Sequence, residues 1–157
     1  MKPDLLLKPN AVLPFFTEGR WSLYHLLSHV LLYTGKATVY ISSYSLSEAA
    51  IRSFKRDMDS GLIENLFVLL DIGVSHRKVD LLLFAISIGA QVRLSTNHSK
   101  VVIVENAQHC VAVVTSQNLT PNPRLEAGCV FTNANVSQFY RDSFLKYYSL
   151  AMPFTYD

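Results

Sequence analysis

The fold is decided by residues 98–118, which read His98-Ser-Lys-Val-Val-Ile-Val-Glu-Asn-Ala-Gln-His-Cys-Val-Ala-Val-Val-Thr-Ser-Gln-Asn118. Two runs rich in β-branched residues, 100–105 and 110–115, flank a short polar loop. β-Branched residues favour strands, and two such runs joined by a few residues predict an antiparallel hairpin. We therefore expect the polar ends of this stretch to lie side by side at the open end of the hairpin.

Strand and helix patterns alternate along the rest of the chain. Further strands are predicted at 37–43, 66–72, 91–95 and 126–132, and helices at 21–33, 45–60, 75–88 and 137–150. Strands alternate with helices early and cluster late, which predicts an α/β fold with one mixed β-sheet and helices on both faces. Residues 1–18 contain Pro3, Pro9 and Pro14 and are expected to be irregular. Residues 19–157 are expected to form a single domain.

Composition limits the class of protein. Of the 157 residues, 50% are hydrophobic and 17% charged, a composition that excludes a disordered chain. The net charge of +2 is too small for a strong positive field around the whole protein, but it permits a local basic site. The longest uncharged apolar run, about 81–92, is shorter than the roughly 20 residues that span a bilayer. Lys8 interrupts the apolar run that could start a signal peptide, and Cys110 and Cys129 make no disulfide framework. We therefore expect a cytoplasmic protein without a transmembrane segment.

Four polar side chains lie at the predicted open end of the hairpin. His98 and Lys100 are two residues apart at the start of one strand, so their side chains leave the same face. Ser116 and Asn118 repeat this spacing beyond the second strand. Lysine binds phosphate as a point charge, serine and asparagine donate hydrogen bonds, and histidine acts as nucleophile or acid. The set therefore predicts a phosphate site.

This pattern resembles a known signature. His98-Ser-Lys100, four apolar residues and an acid, followed by Ser116-Gln-Asn118, is similar to the HxKxxxxD and GSxN motifs of the phospholipase D superfamily. The family's downstream glutamate is matched by Glu126, and the resemblance covers most of the chain. It implies the α/β fold of that family and a phosphate-processing site.

The second half of the signature departs from the family pattern. Glu105 stands where the family usually has aspartate, in a position that is commonly structural and remote from phosphate. Thr115 replaces the glycine that usually precedes the serine, and ten residues separate Glu105 from Ser116, more than is usual. These departures favour, as an alternative function, a nucleic-acid-binding module with little catalysis.

The resemblance implies a phosphodiesterase that needs neither metal nor cofactor. In that family one histidine attacks phosphorus to form a phosphohistidine, and a second protonates the leaving oxygen. Carried over, His98 is the nucleophile or the general acid, and Glu126 orients it by accepting its other N–H. Lys100 and Asn118 bind and neutralise the phosphate, and Ser116 donates a supporting hydrogen bond.

The chain holds one such motif, whereas the chemistry needs two histidines at one phosphate. The other four histidines lack lysine and asparagine companions; they are His25, His29, His76 and His109. A two-fold axis that brings His98 of each subunit to a shared site resolves this, because a C2 contact needs only one self-complementary patch. We therefore predict a homodimer that acts on nucleic acid, similar to the family's small dimeric bacterial endonucleases.

Other interpretations of these residues stay open. A phospholipid-cleaving enzyme of the same family is less favoured, because no membrane-anchoring segment is visible, and an interaction dimer without catalysis is a third alternative. His25 and His29 have the i, i+4 spacing of metal ligands, but no third ligand is evident, so packing or surface roles are expected. Arg77-Lys78 is expected on a solvated helix face, with a phosphate-backbone contact as its alternative.

Overall fold

The computed structural model describes residues 2–121 and 123–155; residues 1, 156 and 157, which the predicted domain limits include, lie outside the described residues. Within these ranges the chain forms eight strands and five helices. In chain order they are β1 (Val12–Phe16), α1 (Leu23–Thr34), β2 (Ala37–Ser43), α2 (Glu48–Asp59), β3 (Ile63–Asp71), α3 (Val74–Arg77), α4 (Val79–Ser87), β4 (Gln91–Ser95), β5 (Val101–Glu105), β6 (Cys110–Thr115), β7 (Ala127–Phe131), α5 (Ala134–Leu150) and β8 (Met152–Pro153).

All eight strands join one mixed sheet in the order β1-β7-β6-β5-β2-β3-β4-β8. β2, β3 and β4 are parallel, whereas β5, β6 and β7 follow one another antiparallel, and β5 pairs antiparallel with β2. Parallel neighbours need a crossover helix and antiparallel neighbours need only a turn, so helices separate the early strands and not the late ones. The predicted hairpin is confirmed, with Val101 opposite Val114 and Glu105 opposite Cys110.

Helices cover both faces of this sheet, which confirms the predicted α/β architecture. α1, α2 and α4 pack on one face, where they share the larger core with Val102 and Val104 of β5. α5 covers the other face, where Phe144 packs with Leu69 and Ile103. Successive strand residues point to opposite faces, so a strand covered on both sides is apolar at every position. No helix in the described ranges is both long enough and apolar enough to cross a bilayer.

The N-terminal segment is more regular than predicted. Val12–Phe16 forms β1, a border strand of the sheet, and pairs antiparallel with β7. Pro14 is compatible with this position, because a border strand has one side on which no neighbour requires a backbone N–H. The prediction of irregular structure over 1–18 is therefore wrong for this stretch.

Helix boundaries also differ from the prediction. The predicted helix 75–88 is divided at Lys78 into α3 and α4, and it begins at Val74, one residue earlier than predicted. α5 begins at Ala134 instead of 137, because the Asn133 side chain accepts two backbone N–H groups of its first turn.

Candidate active site

Several strand termini meet at one end of the sheet. At the start of β5, Lys100 O accepts a hydrogen bond of 3.2 Å from Thr115 N at the end of β6. Ser116 N donates to Ala127 O at 2.9 Å, which brings the start of β7 alongside. All five predicted site residues flank these termini, so the structure places them at this one end of the molecule.

His98 and Lys100 contact each other directly. Lys100 Nζ lies 3.1 Å from His98 Nδ1 and donates to His98 O at 2.9 Å. The imidazole is exposed and the lysine half-buried. Since an ammonium can only donate, this contact uses the Nδ1 lone pair and puts the proton of the neutral ring on Nε2.

Ser116 and Glu126 form a second contact. The Ser116 hydroxyl donates to Glu126 Oε2, and Ser116 Oγ accepts from Ala127 N at 3.1 Å. A carboxylate that is hydrogen-bonded to this serine is fixed at the start of β7. The predicted role of Glu126 as the partner of His98 stays a prediction.

Asn118 is tied to the end of β2. Its Oδ1 lies 3.5 Å from Ser43 Oγ, which also accepts from Leu119 N at 3.2 Å. With the amide oxygen towards Ser43, the NH₂ group is directed away from it and can donate to an anion. The predicted residues thus form two contacting pairs plus Asn118, all beside the same strand ends.

Asn97 supports the segment that carries His98. This side chain is buried (8% exposed), and its Nδ2 lies within hydrogen-bond distance of Ser42 Oγ at 2.9 Å, Leu69 O at 3.2 Å and Ser43 O at 3.3 Å. Its Oδ1 accepts from Ser99 N at 3.0 Å and from Ser99 Oγ at 2.7 Å. Asn97 therefore anchors the backbone on either side of His98 to β2 and β3.

Asp71, the last residue of β3, anchors the same segment from another side. Its Oδ2 accepts from Asn97 N at 3.1 Å and its Oδ1 accepts from Gly73 N at 2.9 Å. This carboxylate is therefore hydrogen-bonded to backbone on both oxygens, and it links the His98 segment to the start of α3.

Comparisons by sequence and by structure give different results. No protein-family model and no curated protein matches the sequence. Among solved structures, the phospholipase D family member Nuc from Salmonella typhimurium matches with a TM-score of 0.71 and 16% identity, over 93% of this chain and 99% of that chain. NucT from Helicobacter pylori matches with a TM-score of 0.67 and 18% identity, over 92% and 99%. The phosphatidylserine synthase of Haemophilus influenzae Rd KW20 matches with a TM-score of 0.64 and 15% identity, over 97% of this chain and 42% of that chain.

This chain has the phospholipase D superfamily fold. The resemblance seen in the sequence is therefore confirmed at the level of the fold. The chain is equivalent to almost the whole of Nuc and of NucT, but to less than half of the synthase.

Within this phospholipase D fold, Glu105 lies at the opposite end of β5 from Lys100. It forms an ion pair with Arg141 of α5, and both side chains are about one-quarter exposed. The acid at this position therefore ties α5 to the sheet. The glutamate in place of the family's aspartate lies away from the predicted phosphate site.

Thr115 is accommodated by a glycine on the neighbouring strand. Thr115 lies opposite Gly128 of β7, and a Cβ built on Gly128 would be 2.9 Å from Thr115 Cα and 2.5 Å from Val114 O. The close approach of β6 and β7 is thus permitted by Gly128.

The long β5–β6 connection is at the remote end of the hairpin, where Asn106 N donates to His109 O at 2.9 Å.

Sequence reasoning missed Tyr44, the aromatic neighbour of His98, and the contact that it makes with Arg77. The Tyr44 ring lies 5.0 Å from the His98 ring between centroids, and the Arg77 guanidinium carbon lies 5.7 Å from the Tyr44 centroid. Tyr44 directly follows β2 and Arg77 ends the short helix after β3. The carboxyl ends of parallel strands share one edge of a sheet, and ligands bind at that edge. The location of Tyr44 and Arg77 just after two parallel strands was therefore the signal that could have placed them near the site.

The other titratable candidates are held by structural contacts. His25 Nδ1 accepts from Ser22 N at 3.0 Å, and burial lowers the pKa of this imidazole. His29 Nε2 lies 2.7 Å from Leu5 O. Cys110 is half-buried, and burial raises the pKa of its thiol to about 11. In the part of the chain that the structure describes, no three His, Cys, Asp or Glu side chains are grouped to hold a metal ion.

The predicted site lies at an open surface. A cleft of about 440 Å³ is on the α5 face, where its lining includes Ser99, Phe139 and Tyr147 but none of the five predicted side chains. His98 and Ser116 are exposed. The arrangement can therefore present an imidazole, an ammonium and an amide to a phosphate approaching from solvent, and a second surface is needed to enclose it.

Proposed function

We propose that this chain is a metal-independent phosphodiesterase, specifically a nuclease, that works through a phosphohistidine at a site shared by two subunits. The observation that carries the proposal is the contact between His98 and Lys100 beside Ser116 and Asn118 in a phospholipase D fold. The similarity of this stretch to almost the whole of two solved chains, Nuc and NucT, supports the fold on which the proposal is built.

The residues divide the reaction among themselves. A ring nitrogen of His98 in one subunit attacks phosphorus, so that a P–N bond forms and the P–O bond to the leaving group breaks. His98 of the partner subunit gives its proton to the leaving oxygen, then accepts one from the water that cleaves the P–N bond. Lys100 and Asn118 donate to the phosphoryl oxygens, where negative charge accumulates.

Lys100 has a second effect in this scheme. Its ammonium occupies His98 Nδ1, and a bound phosphate competes for the same donor. When Lys100 turns to the phosphate, Nδ1 becomes available to carry the proton and Nε2 becomes the free nucleophile. Glu126 is proposed to accept that Nδ1 proton, and Ser116 holds its carboxylate in place.

The principal test is hydrolysis of single- and double-stranded DNA and RNA in the presence of a chelator. We expect cleavage by the unaltered chain and a loss of at least about a thousandfold in His98→Ala, because a removed nucleophile is not replaced by the rest of the site. The matched control is His109→Ala, since His109 contacts Tyr33 at the remote loop and should keep full activity. Activity that survives in H98A, or that requires Mg²⁺, refutes the proposal.

Shared use of His98 by two subunits has its own test. Light scattering should give a dimer, and H98A chains co-assembled with normal chains should leave no intact site in mixed dimers. In a random equal mixture, activity should therefore fall to about one quarter of that of the normal protein. Activity that stays at one half indicates independent sites and contradicts the shared site.

Two observations favour other functions. The similarity to a phosphatidylserine synthase makes phospholipid a second substrate to test, with vesicles in place of nucleic acid. The Glu105 and Thr115 departures favour a binding module, which would show steeply salt-dependent binding of nucleic acid without cleavage.

The two cysteines are free, which supports the proposed cytoplasmic location.

A further inference from the structure

A second cation contacts the aromatic ring that packs against the proposed catalytic histidine. Tyr44 links it to the site, because its ring lies 5.0 Å from the His98 ring and 5.7 Å from the guanidinium carbon of Arg77. Arg77 Nη2 is also 3.5 Å from the Tyr44 hydroxyl. Within residues 2–121 and 123–155, neither Arg77 nor Lys100 forms an ion pair. Neither cation is therefore neutralised by a direct ion pair.

Gly73 leaves the space that the guanidinium occupies. A Cβ at this position would lie 3.1 Å from Arg77 Nη2 and 3.3 Å from its Cζ. The Gly73 backbone has φ −61°, which any residue adopts, so its conformation does not require glycine. The nearby Asp71 carboxylate already accepts two backbone N–H groups. The same Cβ would lie 2.9 Å from Asp71 Oδ1, so the Asp71 carboxylate lies close to the guanidinium without forming a direct ion pair with it. Arg77 is folded back over Gly73 and contacts Tyr44.

We propose that Arg77, held in place by Tyr44, binds the phosphate next to the scissile one, so that the substrate is an oligonucleotide and not an isolated phosphodiester. The inference rests on the proposed function, since His98 defines the scissile position. The guanidinium and the imidazole both contact the Tyr44 ring, and on this basis we assign Arg77 to the phosphate next to the one that His98 attacks. The planar guanidinium suits a phosphate because it donates two parallel hydrogen bonds.

Substrate class follows from this second contact. A strand of nucleic acid carries a phosphate at each step, so binding at His98 brings a neighbouring phosphate to Arg77. Phosphatidylcholine has one phosphodiester and a cationic headgroup, and it would leave Arg77 without an anion. Tyr44 is a positioning residue here, because its ring packs against both side chains.

Binding is measured first, in the His98→Ala background so that the ligand is not cleaved. The affinity for a single-stranded oligonucleotide is followed by fluorescence anisotropy over a range of salt concentrations. Loss of one phosphate contact in Arg77→Gln should reduce the slope of log K against log salt by about 0.7. The control is Arg52→Gln: Arg52 also lies 5.7 Å from a ring, that of Phe84, but it is neutralised by Glu48 and should leave the slope unchanged.

Catalysis is measured second, with the same oligonucleotide and with bis(p-nitrophenyl) phosphate, which has no neighbouring phosphate. R77Q should lower the ratio of the two kcat/KM values about tenfold, the usual value of one charge-assisted contact, and R52Q should not change it. Tyr44→Leu should lower the same ratio and also shift the pH profile of the small diester, whereas Tyr44→Phe keeps the ring and should restore both.

The outcomes separate the two proposals. If R77Q and R52Q give the same salt slope, Arg77 does not bind the strand and the inference is overturned. If the unaltered chain hydrolyses neither substrate, the proposed nuclease function is wrong, while the salt slope still decides whether Arg77 contacts a phosphate.

Discussion

Replacement of Asn97 by alanine should destabilise the protein more than any exposed asparagine replacement. The Asn97 side chain has five hydrogen-bond contacts, three at its NH₂ group and two at its oxygen. Because the NH₂ group has only two hydrogens, four of these bonds form at the same time, two donated and two accepted. At about 1 kcal/mol each, their loss costs about 4 kcal/mol. The bond of 2.6 Å between the Ser42 and Ser99 hydroxyls is present with and without the Asn97 side chain, so it cancels and the expected cost stays about 4 kcal/mol.

The assay is urea unfolding followed by circular dichroism. With a slope of about 2 kcal/mol per molar urea, the midpoint of Asn97→Ala should fall by about 2 M. Asn65→Ala is the matched control, because Asn65 Nδ2 is 3.5 Å from Thr38 Oγ1 on an exposed surface and its loss should cost less than about 0.5 kcal/mol.

The same variant connects stability to the site. Since Asn97 anchors the backbone on both sides of His98, N97A should also weaken phosphate binding under conditions in which it is still folded. A midpoint for N97A equal to that of N65A would falsify the reasoning, because it would mean that these buried bonds are replaced without cost.

Two further predictions concern β7 and the hairpin. Gly128→Ala should lower the thermal midpoint by about 5 °C, because the added Cβ would be 2.5 Å from Val114 O and 2.7 Å from Phe15 Cζ. Overpacking of this kind costs about 1–3 kcal/mol. An unchanged midpoint would show that β6 and β7 can move apart without cost. Burial raises the pKa of the Cys110 thiol to about 11, so between about pH 9 and pH 11 the unfolded chain ionises first and the free energy of unfolding falls as pH rises. Urea unfolding at several pH values should show this decline to be smaller in Cys110→Ser, and equal declines would contradict the assignment.

Most of the strand arrangement could be predicted from local pattern. β2, β4 and β6 have the predicted limits of 37–43, 91–95 and 110–115. β-Branched and apolar residues dominate β2 and β6, and β4 alternates polar and apolar residues, so the local pattern and the tertiary contacts agree. β1 was missed because the proline signal outweighed an apolar run whose partner, β7, is more than a hundred residues away in sequence.

The candidate site was only partly predictable. Spacing identified His98 and Lys100 as a pair, because their contact is local to one strand. The partners of Glu126 and of Asn118 could not be read in this way, since Ser116 and Ser43 come from other strands and the contacts depend on side-chain direction. Arg77 was expected on a solvated helix face with a phosphate-backbone contact as the alternative, and the sequence could not decide between them because its contact with Tyr44 exists only after β2 and β3 are paired.

The borders of the sheet have a consequence for self-association. The valine-rich strands β5 and β6, which in an unfolded chain are the segments most prone to stack into fibrils, lie in the interior of the sheet. One border is β1, which contains Pro14, and the other is β8, which has only two residues. Neither border offers a long row of backbone groups for another chain to continue. The folded protein is therefore protected against open-ended strand addition, and refolding from denaturant at high concentration is the stage at which aggregation should begin.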